Sequence, residues 1–263
     1  MKFQILVSTV DNNFNILRNL KRNDLNALII NQLISINKEN SIKTSKNIKI
    51  LSFKEKGLSK SRNKAIEYAE ADICLITDND VEFMENLKEK ILHAFKENPD
   101  ADILTFKILT PEGDEYKKYS KKSFYHNKRT IMKVSSIEIA FKREKIIKHN
   151  IKFDENFGLG TDFPTGEENI FLADALKKGL KVKYVPISIV IHPRESSGSN
   201  YNNEVLIKAK GAMFYRIFGI KGYFISLLFA LKKFKYSKKY NLFSFYKFML
   251  KGIKEYKKTK GKI

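Results

Sequence analysis

The sequence predicts an α/β fold: a mostly parallel central sheet flanked by helices, followed by a basic helical extension. Three observations carry this. Short β-rich apolar runs alternate with segments of helical period as far as residue 195. The run Asp72-Ile-Cys-Leu-Ile-Thr-Asp-Asn-Asp80 reads as a buried strand that stops abruptly on two carboxylates flanking an amide. Of the net charge of +21, +15 falls from Ile207 onward, where sixteen Lys and Arg meet one acid, Glu255. Strand–helix alternation implies parallel strands whose crossover helices cover both faces. The charge asymmetry implies a cationic module attached to a mildly basic body.

The elements follow in order. Phe3–Thr9, Ala27–Ile30 and Ile48–Phe53 are β-rich runs. Leu58–Ala71 carries Ala65, Ile66 and Ala69 at helical spacing, with Ser59 placed to cap it. After the strand into Asp78, Glu85–Glu97 reads as a helix stopped by Asn98-Pro99, and Asp102–Leu109 as a strand closed by Pro111-Glu-Gly-Asp114. Residues 115–136 are rich in Lys and Tyr without a clear period. Ile137–Phe141 resumes a strand, Glu168–Lys178 is helical with Gly179 as terminator, and Pro186 splits Lys181–Val185 from Ile187–His192. Two domains are expected, 1–200 and 201–263.

At 263 residues and 43% hydrophobic, the chain buries one sizeable core. Its single cysteine, Cys74, lies inside an apolar strand, which excludes a disulfide framework and a Cys-rich zinc site and fits a reducing compartment. The first residues read as a strand rather than a secretory signal. The most apolar stretch, Gly222–Leu231, is far short of the ~18 residues a spanning helix needs. A cytoplasmic protein is expected.

A carboxylate pair at the carboxyl end of a strand is poor core material, but its oxygens suit Mg²⁺ or Mn²⁺. Arg62 and Asn63 follow closely on Ser59, where a helix start offers N–H groups and a positive dipole end to a phosphate. His93, His126 and His149 show no ligand spacing and read as surface or core residues.

Taken together, Val7-Ser8-Thr9 at the end of the first strand, Gly57-Leu-Ser-Lys-Ser-Arg-Asn-Lys-Ala65, Asp78-Asn79-Asp80, and Gly166-Glu-Glu-Asn169 before an apolar helix resemble a family 2 glycosyltransferase of the GT-A fold, the kind used in bacterial surface polysaccharide biosynthesis. The resemblance covers residues 1–195. It implies an inverting, metal-dependent transfer of a sugar from a nucleoside-diphosphate donor, a UDP-sugar, to a hydroxyl of a glycan or lipid-linked glycan. It assigns Mn²⁺ or Mg²⁺ to Asp80, with Asp78 as a further metal residue that also contacts the donor. Ser8, Thr9, Asn31, Arg62, Asn63 and Asn79 become donor-binding residues. Glu168 becomes the general base, with Glu167 as the alternative within the pair. His192 completes the metal site, and Arg194, Ser196 and Ser197 close over the diphosphate. Phe157-Gly-Leu-Gly-Thr-Asp162 resembles the mobile loop on the acceptor side. The sequence departs from the family where Asn31-Gln32 replace an acidic pair, which loosens the choice of base, and where a Glu-Glu pair replaces Glu-Asp.

The extension interleaves aromatics with lysines in Met213–Phe218, Gly222–Lys235 and Phe243–Leu250. Such a composition fits peripheral docking on the anionic inner face of a membrane, or simple packing onto the catalytic domain. It also fits the rival function, a basic nucleic-acid-binding module without catalytic activity. Nucleic acid is not the expected partner, because a phosphate binder gains nothing from four carboxylates. A nucleotidyltransferase would need a Gly-rich basic loop after the first strand, and Val10-Asp-Asn-Asn-Phe14 is not one.

Overall fold

A computed structural model describes residues 1–194 and 200–260; Ser196 and Ser197 therefore lie outside the described residues. The elements begin with β1 (Phe3–Val10), α1 (Leu17–Arg22), β2 (Ala27–Gln32), β3 (Ser41–Ser45), β4 (Ile48–Phe53) and α2 (Leu58–Tyr68). Then come β5 (Ile73–Thr77), β6 (Glu82–Phe83), α3 (Leu87–Glu97), β7 (Ile103–Leu109), β8 (Phe124–Tyr125), β9 (Ile139–Lys142) and α4 (Arg143–Lys148). The last are α5 (Glu167–Lys177), β10 (Val182–Ile191), α6 (Glu204–Phe218), α7 (Lys221–Lys233) and α8 (Leu242–Lys260). The chain forms two compact units. The first holds Met1–Lys56, Lys60–Phe153 and Phe171–Arg194; the second holds Gly57–Ser59, Asp154–Ile170 and the C-terminal helices.

The first unit is built on one sheet of order β3-β4-β2-β1-β5-β9-β7-β10-β6, with β8 on β10. β4, β2, β1 and β5 run parallel, as do β7 and β10. β9 lies antiparallel between β5 and β7, so two reversals restore the direction. The near-continuous burial of β1, β2 and β5 is that of strands covered on both faces. Leu20 of α1 and Ile91, Ala94 and Phe95 of α3 pack on Ile5, Val7 and Leu75 from one side. From β1 the chain steps outward through β2 to β4, then returns to lay β5 on the other flank of β1. The order reverses between β1 and β5, and open α/β sheets bind ligands at the carboxyl edge of such a point.

Several boundaries differ from expectation. Pro186 does not split β10: four residues, Tyr184 to Ser188, advance against the two from Thr105 to Lys107 on β7, and the exposed proline rides in that bulge where no ladder N–H is required. Ser59 is the second residue of α2 rather than its cap, because its hydroxyl donates to the Phe157 carbonyl at 2.6 Å. The strand expected over Ile137–Phe141 starts two residues later, after a 3₁₀ turn at Ser136–Glu138.

His126 has a core environment. Its Nε2 lies 2.8 Å from Thr105 Oγ1 and its Nδ1 3.1 Å from Thr130 Oγ1, and burial pushes its pKa down to about 4 from the usual 6.5. Below pH 6.5 the unfolded chain takes up a proton that the fold refuses until about pH 4. Its contribution is therefore fully present above 6.5 and is lost as pH falls through that window, by up to about 3 kcal/mol. His126→Gln should flatten urea-derived stability between those limits. An unchanged acid limb would place the loss on other groups.

In the second unit α6 and α8 cross at two glycines. A Cβ on Gly211 would lie 2.7 Å from Met249 Cα, and one on Gly252 2.8 Å from Lys208 Cα, so only hydrogen fits at either point. Phe214, Phe245, Met249 and Ile253 are buried around this crossing. The apolar faces of α6 and α8 are thus interior. Asn203 caps α6, its Oδ1 accepting from Val205 N–H at 2.9 Å.

Candidate active site

In the first unit the expected donor-site residues collect at the carboxyl edge where the strand order reverses. The parallel register places Ser52, Asn31 and Thr9 in one row across β4, β2 and β1, and Thr77 beside Val7, so Asp78–Asp80 leave β5 next to the end of β1. Hydrogen bonds tie the row together. Asn79 Nδ2 donates to Thr9 Oγ1 at 3.2 Å, while Thr9 Oγ1 donates to the Asn13 carbonyl. Ser61 Oγ donates to Ser8 Oγ at 2.8 Å. Asn31, fully buried, donates to Asn12 Oδ1 and Ser52 Oγ and accepts from Asn12 N–H, so the amide fixes the loop after β1.

Arg62 and Asn63 sit in the second turn of α2, one turn beyond the helix terminus expected to serve them. The free amides of that terminus are not theirs to use. Arg62 is buried, stacks 5.5 Å from the Phe153 ring centre, and donates to Asp78 Oδ1 at 3.0 Å. Its charge thereby orients Asp78 at the edge. Asn63 grips the backbone of Phe153 from both sides, Nδ2 to its carbonyl at 3.0 Å and Oδ1 from its N–H at 2.8 Å. This amide supports the floor beneath Arg62.

Asp80 meets His192, which follows β10 at the same edge; Oδ2 and Nε2 are 3.7 Å apart. His192 Nδ1 lies 2.7 Å from the Pro193 carbonyl, an acceptor only, so Nδ1 carries the proton and Nε2 turns its lone pair towards Asp80. Two acceptors at this separation repel unless a cation lies between them. In a protein without metal that cation is a proton: hydrogen bonding to Asp80 raises the His192 pKa, and the same bond lowers that of Asp80. A divalent cation answers the same electrostatic demand with an oxygen and an imidazole donor. Among the described residues no group of three or more His, Cys, Asp or Glu is arranged to hold a metal ion. Two protein ligands suffice where substrate phosphates and water fill the other positions, the usual way Mg²⁺ is bound. The residues therefore fit such an ion. Arg194 lies at the same end, donating to the Glu115 carbonyl at 3.3 Å with Asp114 3.6 Å away.

In the second unit, Gly166 holds φ +92° immediately before α5, and a Cβ there would meet the Met213 side chain of α6. Glu167, the first residue of α5, is buried; Gly158 (φ +100°) is so close that a Cβ would stand 3.4 Å from Glu167 Cδ and 3.2 Å from Ser59 Oγ. Glu168 is only partly buried. Lys210, three residues before Met213 and so on the same face of α6, interacts electrostatically with Glu168 and Glu167, and desolvation holds its pKa below the lysine norm. The sequence reading did not single out Lys210. The Phe157–Asp162 loop closes through stacked Phe157 and Phe163, centroids 5.1 Å apart, both against Tyr256 of α8.

The glycosyl transferase family 2 model matches residues 31–161. No curated protein sequence matches the chain. Among solved structures, TarS of S. aureus is similar at 15% identity and TM-score 0.59 over 90% of this chain, which spans 44% of that one. A shorter form, TarS 1-349 in complex with UDP-GlcNAc, is similar at 16% identity and TM-score 0.59, covering 90% of this chain and 74% of that one. The same form in complex with UDP gives 17% and 0.58, with coverages of 90% and 73%.

Proposed function

The chain carries a family 2 glycosyltransferase domain on a GT-A fold, and from that premise we propose that it moves a sugar, with inversion, from a UDP-sugar to a hydroxyl of a glycan or lipid-linked glycan. The observation that carries this reading is the carboxyl edge between β1 and β5, where Arg62-anchored Asp78 and the Asp80–His192 pair stand together. Asp80 and His192 would hold Mn²⁺ or Mg²⁺, which when bound offsets the charge developing on the departing diphosphate. Imidazole favours Mn²⁺ of the two.

The protein residues divide the rest of the work. Asp78, oriented by Arg62, receives the ribose or sugar hydroxyls of the donor. Thr9, Asn31 and Asn79 shape the nucleoside end, while Ser8 and Asn63 brace the scaffold beneath. Arg194 adds positive charge beside the diphosphate. Glu168 takes the proton of the acceptor hydroxyl as its oxygen bonds to the anomeric carbon and the bond from that carbon to the diphosphate oxygen breaks. Glu167, buried under Gly158, orders the start of α5. TarS has been solved in complex with UDP and with UDP-GlcNAc, which supports a uridine donor here.

UDP with Mn²⁺ should raise the thermal midpoint by several degrees, since a ligand at ~100 times its Kd adds about 2.7 kcal/mol to the folded state. GDP and dTDP serve as comparisons, because Asn31-Gln32 stand where an acidic pair is usual. A chain whose midpoint ignores every nucleoside diphosphate is not this enzyme.

A further inference from the structure

We propose that the outer face of α7 is a docking surface for an anionic lipid bilayer, on which the protein lies without spanning. The helix is inside out in residue size. Its buried side is Gly222, Ser226 and Ala230, whereas Phe224, Leu228 and Leu231, with Ile220 just before the helix, are 62%, 49%, 48% and 78% exposed. At roughly 100° per residue these four fall within ~80° of the circumference, one continuous apolar stripe. Lys221 and Lys232, both exposed, lie along one border of it. No helix among the described residues is long and apolar enough to cross a membrane.

Charge selects the occupant. From Val205 to Lys254 the chain holds no Asp or Glu, and although Lys208, Arg216 and Lys251 pair with Glu204, Glu255 and Asp154, the segment that carries the stripe is strongly cationic. A bilayer of anionic lipid satisfies both halves at once: acyl chains receive the stripe to a depth of ~5–10 Å while headgroups meet the lysines. A second copy of the chain, docked face to face, would bring the lysines that border one stripe against those of the other. Single-stranded nucleic acid would answer the lysines, but it stacks on aromatic rings, and three of the four stripe residues are aliphatic. The inference uses none of the residues assigned to donor or acceptor, so it stands or falls apart from the proposed reaction.

The full chain should sediment with vesicles of phosphatidylglycerol and phosphatidylcholine in equal parts and remain in solution with phosphatidylcholine alone. Salt near ~0.5 M should release it, because headgroup attraction is screened within a few ångströms. The double variant Phe224→Asp/Leu228→Asp should weaken vesicle binding by about tenfold or more, and Lys221→Glu/Lys232→Glu by a similar factor. These residues are exposed, and an unchanged thermal midpoint of the free chain shows that each variant is folded. Failure of the intact chain to bind anionic vesicles overturns the proposal, as does full binding by Phe224→Asp/Leu228→Asp. Self-association or RNA binding that depends on the stripe, without vesicle binding, also overturns it and names the occupant.

Discussion

Glu168→Gln is expected to slow sugar transfer by about 10² or more and to leave UDP binding unchanged. The amide keeps the shape and hydrogen bonding of the acid but cannot take a proton, so only the step that deprotonates the acceptor suffers. The rate is read as UDP released from the donor in the presence of a glycan or lipid-linked acceptor pool, and binding as the thermal shift with UDP. Glu167→Gln should have the smaller effect on turnover, because that side chain is buried against Gly158 while Glu168 keeps partial access to solvent. If Glu167→Gln proves the more damaging of the two, the base is Glu167. Lys210 interacts electrostatically with both carboxylates of the pair, while desolvation lowers its own pKa.

Asp80→Ala should be equally severe for a different reason. Its removal takes away the carboxylate that faces His192 Nε2, and with it the oxygen half of the proposed cation site. Turnover should fall by about 10² or more, and the part of the UDP thermal shift that depends on Mn²⁺ should vanish. Asp78→Ala, by contrast, leaves the Asp80–His192 pair intact and should weaken donor binding in a manner insensitive to Mn²⁺. A Mn²⁺-dependent shift that survives undiminished in Asp80→Ala removes Asp80 from the metal site.

The strands that build the site were legible because β1, β2, β4 and β5 are apolar runs of the right length, ended by residues that have no place in a core. Where the fold escaped the sequence, a tertiary partner decided. β3 is Ser-Ile-Lys-Thr-Ser, exposed at every position, and its hairpin to β4 turns at Lys46 with φ +48° and no glycine, so neither periodicity nor turn chemistry marked it. Ser59 has the chemistry of a cap, but the Phe157 carbonyl claims its hydroxyl. Pro186 is a strand breaker everywhere except in the bulge that β10 provides.

The candidate site divides in the same way. Asp78, Asp80 and Glu168 announce themselves as acids in places where cores do not want them. The supporting roles of Asn63 and Asn31 depend on the backbone of Phe153 and the side chains of Asn12 and Ser52, which only the folded chain brings near. Lys210 was one lysine among many in a cationic segment. Nothing local distinguishes it; its face of α6 is set by the contact of Met213 with Gly166.

Release of UDP from a panel of UDP-sugars in Mn²⁺, with water in the place of the acceptor, tests the central claim most directly. Such slow hydrolysis requires the donor site, the cation and nothing else. One or a few UDP-sugars should be hydrolysed by the intact chain, the release should stop when the metal is chelated, and Asp80→Ala should abolish it. A folded chain that turns over no nucleotide sugar, or one whose release continues unchanged in Asp80→Ala, would contradict the assignment of a sugar-transfer site to this sheet edge.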